Sequence, residues 1–345
     1  MTVGLAPAEV LWRAMAVPRL LDCGMVPSDV AGLRAATDEG VPWDVACAQL
    51  AEAQFERADG TSVTAVEALR AGAADLLFAQ MAHNFDTARK RELYAAFTAA
   101  VGRAGALAGW ERVQLPFAGG YLVGWIVRPA APRGTVILFG GQSGWGAAYL
   151  RLADALVARG LTAFLVEGPG QGEPRLASGL YLDVDVRAAY STFVDHVLAR
   201  PDLPGPVGLW GNSMGGLYAG TTAASDRRVT AVCINGAPAQ PRLLGMRTFD
   251  DQAAAMLGTT EPDAIQRNFD RLALRPGDRI ESALLVLHGG ADPIVSLADQ
   301  QPFLDAADPD RSTLRIWVDG EHVVTNHAEE RNAFVTDWFC ERFQR

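Results

Sequence analysis

The chain has 345 residues, of which 49% are hydrophobic and 20% charged, so it can bury a large core and form more than one compact unit. Its 30 Lys and Arg against 40 Asp and Glu leave a formal net charge of −10, which argues against DNA, RNA or an anionic membrane surface as the main partner. No apolar run reaches the roughly 18 residues that a membrane span needs, and the first residues lack the basic head of a secretory signal. We therefore expect a cytoplasmic protein that acts on a small molecule.

The cysteines give no sign of a metal site or a disulfide framework. The four of them, Cys23, Cys47, Cys233 and Cys340, lie far apart and form no CxxC pair. We expect no metal and no cofactor. The sequence leaves the oligomeric state open, and a homodimer is one of the possibilities.

Residues 1–107 are predicted to be an all-helical domain. Apolar residues recur at three-and-four spacing in the segments 42–57, 61–83 and 85–107, where Ala, Leu and Glu dominate. Thr61 or Ser62 is a suitable N-cap for the second segment, and Asp86 for the third. We expect this domain to cover a functional site as a lid.

From about Glu111 the pattern changes to short β-rich runs that alternate with helical segments. The later runs are almost wholly apolar, as is typical of parallel strands covered by helices on both faces. The two earliest runs have no helix between them and are predicted to pair as an antiparallel hairpin. Residues 108–345 are thus predicted to be an α/β domain with a doubly wound, mostly parallel sheet, whose ligand would bind beyond the carboxyl ends of the strands. Residues 237–278 form a long excursion between two strands, with a predicted helix over 260–274, and are a candidate second part of the lid.

A candidate nucleophile lies between a strand and a helix. Ser213 is the central residue of Gly211-Asn212-Ser213-Met214-Gly215, which directly follows the buried run VGLW and directly precedes a helical run. A G-x-S-x-G in this setting is typical of the nucleophile elbow, a strained turn that presents the hydroxyl above the sheet. The alternative is a glycine-rich turn with a structural role only.

A serine hydroxyl needs a base to remove its proton. Of the five histidines, His322 follows the last predicted strand, where a loop would cross the carboxyl edge of the sheet, and it is the predicted base. His327, at the start of the terminal helix, is the reserve. His196 is predicted to be a partly exposed helix residue, His83 ends a helix, and His288 is predicted to pack or to cap a turn.

The base in turn needs an acid to orient it. Asp292 follows the penultimate strand, and the chain order Ser213, Asp292, His322 is that of hydrolases with a nucleophile elbow. Asp319 is the competitor, although it is predicted to be a turn residue, and Glu167 is predicted to lie in a loop.

The oxyanion of a tetrahedral intermediate needs main-chain donors. The N–H of Met214 is one candidate, and the N–H of Gln142 or Gly141, in the glycine-rich loop after the first central strand, is the other. The alternative is that these glycines only turn the chain.

The segment GPGQGE, residues 168–173, lacks the Lys-Ser/Thr of a phosphate loop and is predicted to be a tight loop over the site. Phe78 and Met81 are weak candidates for substrate lining, since an apolar stripe on a helix more often belongs to a core.

The motifs VEGPGQGEPR, WGNSMGG, HGGADPIV and GEHV, together with the helical N-terminal domain, resemble a group of α/β hydrolases. The group includes 2,6-dihydroxypseudooxynicotine hydrolase, the fermentation–respiration switch esterase-like proteins and the fungal pigment enzymes that shorten polyketide chains. The resemblance covers the second domain well and the first in organisation more than in motif. It implies a serine hydrolase with a helical lid that uses Ser213, Asp292 and His322, with donors near Gln142 and Met214.

The resemblance also implies the kinds of reaction to consider. Several members of the group cleave a carbon–carbon bond in a 1,3-diketone-like substrate, and others are described as esterases. The nicotine-pathway enzyme uses a glutamate after the sixth strand, whereas the corresponding stretch here, GAPAQPRLLGMRTFDD, has none, so a different substrate is expected. We expect hydrolysis of a C–C or ester bond in a small aromatic or polyketide-like substrate. The alternatives are an acyl transferase or cyclase with the same triad, and a non-catalytic binding protein on a hydrolase scaffold.

Overall fold

In the computed structural model of the chain, the described residues are 5–58 and 60–344, with Arg247 described by its main chain alone. These residues divide into two compact units, and the division falls between Arg112 and Val113. The predicted boundary lies a little earlier, after Leu107.

The first unit consists of helices and their connections up to residue 108. Its helices in chain order are α1 (Ala8–Ala14), α2 (Val17–Asp22), α3 (Pro27–Asp38), α4 (Trp43–Arg57), α5 (Val63–Met81) and α6 (Ala88–Ala108). Helix α5 is rich in Ala and Leu and is buried along most of its length, so it forms the centre of this unit. Trp43 packs edge-to-face on Trp12, with 4.8 Å between ring centroids, and its indole N–H donates to the Phe78 carbonyl at 3.1 Å.

Both long helices of this unit begin at a hydroxyl cap. Ser62 accepts a hydrogen bond from the main-chain N–H of Ala65 and caps α5. At the start of α6 the Thr87 hydroxyl accepts from the N–H of Lys90, so Thr87 and not Asp86 is the cap. The prediction for Asp86 was wrong by one residue, because a cap side chain has to lie directly before the first helical residue to reach the N–H three residues on.

The second unit contains a mixed eight-stranded sheet. Its strands are β1 (Glu111–Phe117), which begins just before the division between the units, β2 (Gly120–Val127), β3 (Thr135–Phe139), β4 (Thr162–Glu167), β5 (Val207–Asn212), β6 (Val229–Asn235), β7 (Ala283–Gly289) and β8 (Ser312–Trp317). Their spatial order is β1-β2-β4-β3-β5-β6-β7-β8. β2 is antiparallel to β4, and β3 to β8 are parallel, which is the mostly parallel, doubly wound sheet that the sequence predicts.

From β3 onwards, helices separate successive strands along the chain. The helices are α7 (Leu150–Val157), α8 (Gly172–Ser178), α9 (Val186–Leu198), α10 (Met214–Ser225), α11 (Arg247–Leu257), α12 (Pro262–Leu272), α13 (Leu297–Asp305) and α14 (Ala328–Phe343). The excursion over 237–278 holds α11, which the sequence analysis missed, and α12, which it predicted.

The register of the central strands places the candidate site at one edge of the sheet. Phe139 at the end of β3 is opposite Gly211, and Asn212 at the end of β5 is opposite Asn235. The residues that follow these strand ends therefore meet at the carboxyl edge, where open α/β sheets bind their ligands. Helices cover both faces of the central strands, which are buried throughout.

Glu167 is not a loop residue. It is the last residue of β4, is buried, and its carboxylate accepts the main-chain N–H of Glu173 at 2.9 Å in the first turn of α8. The prediction failed because a carboxylate at a strand end can be buried once a helix N-terminus satisfies it.

In the part of the chain that the structure describes, no helix combines the length and the apolar character that crossing a bilayer requires.

Candidate active site

Ser213 occupies a strained turn between β5 and α10. Its main-chain angles are φ 55° and ψ −132°, in a region that residues with a side chain rarely adopt. The turn is tight enough that a Cβ on Gly211 would lie 2.0 Å from the carbonyl oxygen of Gly215. This is the strand–turn–helix geometry that G-x-S-x-G predicts, and it sets Ser213 at the N-terminus of α10.

The structure brings Ser213, His322 and Asp292 into one hydrogen-bonded chain. His322 Nε2 lies 2.9 Å from Ser213 Oγ, and His322 Nδ1 lies 2.8 Å from Asp292 Oδ2. The Asp292 side chain is fully buried, and its other oxygen accepts the N–H groups of Ile294 and Val295 at 2.8 and 3.1 Å. The carboxylate is thereby fixed, so the imidazole presents Nε2 to the serine.

The loop that carries His322 is itself strained. Val323 and Val324 both have positive φ, 53° and 57°, although β-branched residues adopt this region reluctantly. The Val323 carbonyl accepts hydrogen bonds from Asn235 Nδ2 and Arg331 Nη1, each at 2.9 Å. These two donors hold the unfavourable conformation that places His322 beside Ser213.

Asn235, which the sequence analysis did not single out, joins the serine turn to the histidine loop. Its side-chain amide donates to Asn212 Oδ1 at 2.8 Å and to the Val323 carbonyl, and its main-chain carbonyl accepts the N–H of Ser213 at 2.8 Å. One residue at the end of β6 therefore contacts the neighbours of both site residues. Its position at a strand end beside the elbow strand was the only signal for it in the sequence.

The alternative base and acid pair with each other instead. His327 Nε2 lies 2.9 Å from Asp319 Oδ1, and the Asp319 side chain is 78% exposed. These two side chains thus pair with each other and not with Ser213.

The remaining histidines have other partners. His288 is buried, burial lowers its pKa despite the nearby Asp292, and its Nδ1 lies 2.9 Å from the side-chain amide of Gln300. In the first unit His83 lies 3.3 Å from Asp44, and in the second His196 packs beside the ring of Phe164. His322 is thus the histidine that the fold brings to Ser213.

The glycine-rich loop after β3 lies directly against the serine. A Cβ added to Gly141 would meet the Ser213 Cβ at 2.9 Å, so only glycine allows this approach. Gln142 and Met214 line the same pocket as Ser213. Met214 is the first residue of α10, so its N–H has no acceptor within the helix. The N–H of Met214 therefore remains available to an oxyanion.

The pocket at Ser213 is mostly apolar, and half of its lining comes from the excursion over 237–278. Its lining residues are Gln142, Ser213, Met214, Pro238, Pro241, Arg242, Leu244, Phe249, Phe269, Ile294, Val295 and Asp299. The excursion was predicted as a candidate lid segment, but none of its lining residues was predicted, because an irregular loop has no periodicity from which to choose them.

Arg242 is the only cationic side chain among these described lining residues. Its Nη1 donates to Asp299 Oδ1 at 2.8 Å, and Asp299 is itself held by Ser296 in the capping box of α13. Burial opposes ionisation of Asp299, but the hydrogen bonds from Arg242 and Ser296 lower its pKa below the usual value. The pocket thus has one anchored guanidinium beside apolar walls.

Phe78 and Met81, the weak candidates for substrate lining, belong to the first unit. Phe78 is fully buried and Met81 is 5% exposed, both on α5 in the first unit. Their proposed contact with a substrate stays a prediction.

Part of the chain matches a known family model. Residues 130–272 match the family model described as serine aminopeptidase, S33. No curated protein matches the sequence.

Several solved structures share the fold. The 2,6-dihydroxy-pseudo-oxynicotine hydrolase is similar with a TM-score of 0.84 and 21% identity, over 94% of this chain and 95% of that one. AbyA5 is similar with a TM-score of 0.71 and 19% identity, over 94% and 97% of the two chains. The similarity to Est1E from Butyrivibrio proteoclasticus extends over 68% of this chain and 99% of that one, with a TM-score of 0.53 and 17% identity. The sheet order, the strained serine turn and these similarities together show that the chain has the α/β-hydrolase fold that its motifs predicted, with a helical unit before it.

Proposed function

We propose that the protein is a serine hydrolase that cleaves an acyl bond through a Ser213–His322–Asp292 triad. The observation that carries the proposal is the hydrogen-bonded chain of the three side chains, at 2.9 and 2.8 Å, beside a pocket. A binding protein on the same scaffold would have no need to hold Ser213 and Val323 in costly main-chain conformations.

The contacts suggest the role of each residue. His322 Nε2 removes the Ser213 proton as the hydroxyl attacks a substrate carbonyl, and Asp292 stabilises the imidazolium that forms. Main-chain N–H groups at Met214 and in the 140–142 loop donate hydrogen bonds to the carbonyl oxygen and stabilise the negative charge that develops on it. The imidazolium then protonates the leaving group, and a water molecule, activated by His322, hydrolyses the acyl-serine to a carboxylic acid and regenerates Ser213.

We further propose a 1,3-diketone-like substrate first and an ester second. In a 1,3-diketone the bond that breaks is C–C, and the leaving group is an enolate that its neighbouring carbonyl stabilises. In an ester the leaving group is an alkoxide. The similarity to the structure of 2,6-dihydroxy-pseudo-oxynicotine hydrolase and the mostly apolar pocket support a small aromatic or polyketide-like acyl group.

The nucleophile is tested by labelling with a fluorophosphonate probe. We expect Ser213→Ala to abolish labelling. Ser225→Ala should leave it unchanged, because Ser225 lies at the far end of the same helix and bonds only to the carbonyls of Thr221 and Thr222. Undiminished labelling of Ser213→Ala would remove the serine from the mechanism.

The bond is identified by incubating the protein with 1,3-diketones, aryl esters and thioesters in ¹⁸O-labelled water and weighing the products. One ¹⁸O atom in the acid product indicates that water is the final acceptor of the acyl group. Transfer of the acyl group to a substrate atom without ¹⁸O uptake would indicate a transferase or cyclase and contradict the proposal.

A further inference from the structure

Gln171, in the segment Gly168–Glu173, is fully buried beneath the glycine-rich loop that faces Ser213. Its side-chain Nε2 donates to two successive carbonyl oxygens, that of Gly140 at 2.6 Å and that of Gly141 at 3.1 Å. A single amide nitrogen therefore contacts both peptide groups of the loop.

The other side of the same amide is also occupied. Gln171 Oε1 accepts the main-chain N–H of Gly168 at 2.9 Å and the Tyr190 hydroxyl at 3.2 Å. Carbonyl oxygens can only accept and the Gly168 N–H can only donate, so these partners fix which end of the amide is nitrogen. All four hydrogen-bonding positions of the side chain are used, and the amide has no freedom to turn.

The two held carbonyls determine where the next two N–H groups point. In a trans peptide the C=O of one residue and the N–H of the following residue point in opposite directions. Because the carbonyls of Gly140 and Gly141 both bond to Gln171, the N–H groups of Gly141 and Gln142 both point away from Gln171. Successive N–H groups exposed on one side of the main chain can bind an anion as a nest.

The glycine-rich loop that carries these N–H groups lies directly against Ser213. The Gly141 Cα approaches the Ser213 side chain closely, and Gln142 lines the pocket with Ser213 and Met214. The Trp145 indole N–H donates to the Gly141 carbonyl at 3.1 Å and strengthens the same orientation.

We propose that Gln171 is a positioning residue that locks the Gly140–Gln142 main chain as the oxyanion-binding nest facing Ser213. The role rests on the proposed serine hydrolase function. It also accounts for the GPGQGE segment, since Gln171 reaches the loop only because a tight turn brings it beneath the sheet edge. Gly141 and Gln142 then both contribute a main-chain N–H donor to the oxyanion site, whereas the sequence predicted a donor from one of the two.

The sharpest test is Gln171→Glu. The substitution keeps the shape and the oxygen that Gly168 and Tyr190 contact, but places a second oxygen against two carbonyl oxygens. With 4-nitrophenyl acetate as substrate we expect kcat to fall about 10- to 100-fold, while KM changes by less than about threefold, because the nest acts on the tetrahedral intermediate and not on bound substrate.

A transition-state probe separates this role from a general loss of stability. Phenylboronic acid adds reversibly to a serine oxygen and gives a tetrahedral anion with an oxygen in the oxyanion site. Its dissociation constant should rise by the same factor as kcat/KM falls, which damage elsewhere in the fold would not produce.

Tyr190→Phe is the matched control, because it removes a contact to Gln171 Oε1 and leaves both donated bonds in place. We expect its kcat within about threefold of the unmodified enzyme. Trp145→Phe removes one of the two donors to the Gly141 carbonyl, and we expect it to lower kcat by less than Gln171→Glu does. This variant tests the fixed orientation of the Gly140–Gln142 main chain without altering residue 171.

The two proposals fail differently. If Ser213→Ala still hydrolyses the ester, the proposed function is wrong and the nest has no oxyanion to bind. If Ser213→Ala is inactive but Gln171→Glu keeps the unmodified kcat and boronate affinity, the hydrolase function stands and the role of Gln171 is refuted.

Discussion

The Asn235 side chain donates a hydrogen bond of 2.9 Å to the carbonyl of Val323, the residue that follows His322. A bond of 2.8 Å from the same amide nitrogen to Asn212 ties it to the residue before Ser213. The spacing between the candidate nucleophile and base therefore depends on one amide at the end of β6.

We expect Asn235→Leu to lower kcat about 10- to 100-fold with little change in KM, because a displacement of the base by about 1 Å is enough for a loss of this size. The strained Val323 conformation would keep only the donor from Arg331. Steady-state kinetics on an aryl ester, with circular dichroism to verify folding, measures the effect. An unchanged kcat in the folded variant would show that Arg331 alone positions the loop.

The assignment of acid and base is tested by two pairs of variants. Asp292→Asn and His322→Ala should each lower kcat by about three to four orders of magnitude while the fold is retained, as loss of a triad member does. His327→Ala and Asp319→Asn are the controls, because these two residues contact each other and should leave kcat within about threefold. Equal losses in both pairs would contradict the assignment.

A charge in the pocket predicts a preference among substrates. Arg242 is anchored by Asp299 and is 54% exposed, so its attraction for an anionic group is worth about 1 kcal/mol, or roughly fivefold in kcat/KM. Arg242→Gln should lower kcat/KM for a 4-nitrophenyl hemisuccinate by about this factor relative to the neutral 4-nitrophenyl valerate. The ratio of the two substrates is the measurement. An equal loss on both would indicate that Arg242 packs against the acyl group and does not select its charge.

The first unit contains a buried carboxyl whose ionisation should affect stability. Burial, together with the neighbouring Asp29, raises the pKa of Asp75 to about 9. The folded chain then binds a proton that the unfolded chain, with an ordinary Asp pKa, has lost. The contribution of Asp75 to stability is therefore intact below about pH 4 and decreases steadily as the pH rises towards 9.

Asp75→Asn should remove this pH dependence. We expect the variant to be more stable than the unmodified chain at pH 8.5 and to differ little at pH 4.5, as measured by urea midpoints at the two pH values. A stability difference that stays constant between them would show that Asp75 does not carry the proton.

Much of the fold follows from local patterns in the sequence. The apolar runs of β3, β5, β6 and β7 predict buried parallel strands, and Gly211 to Gly215 predict the elbow, because both depend on residues adjacent in the chain. Similarly, Asp292 and His322 each follow a strand, and parallel strands bring their carboxyl ends to one edge. Errors of detail arose where burial changes the preference of a single residue, as at Glu167.

Local sequence patterns were therefore enough to predict the α/β-hydrolase fold and to propose the serine, the acid and the base. The side chains that hold these groups in place became visible in the folded chain alone, since the contacts of Gln171 with Gly140 and of Asn235 with Val323 join residues 31 and 88 positions apart. A polar side chain of this kind carries no periodicity, and its partner becomes visible only when the packed sheet brings distant loops within hydrogen-bonding distance.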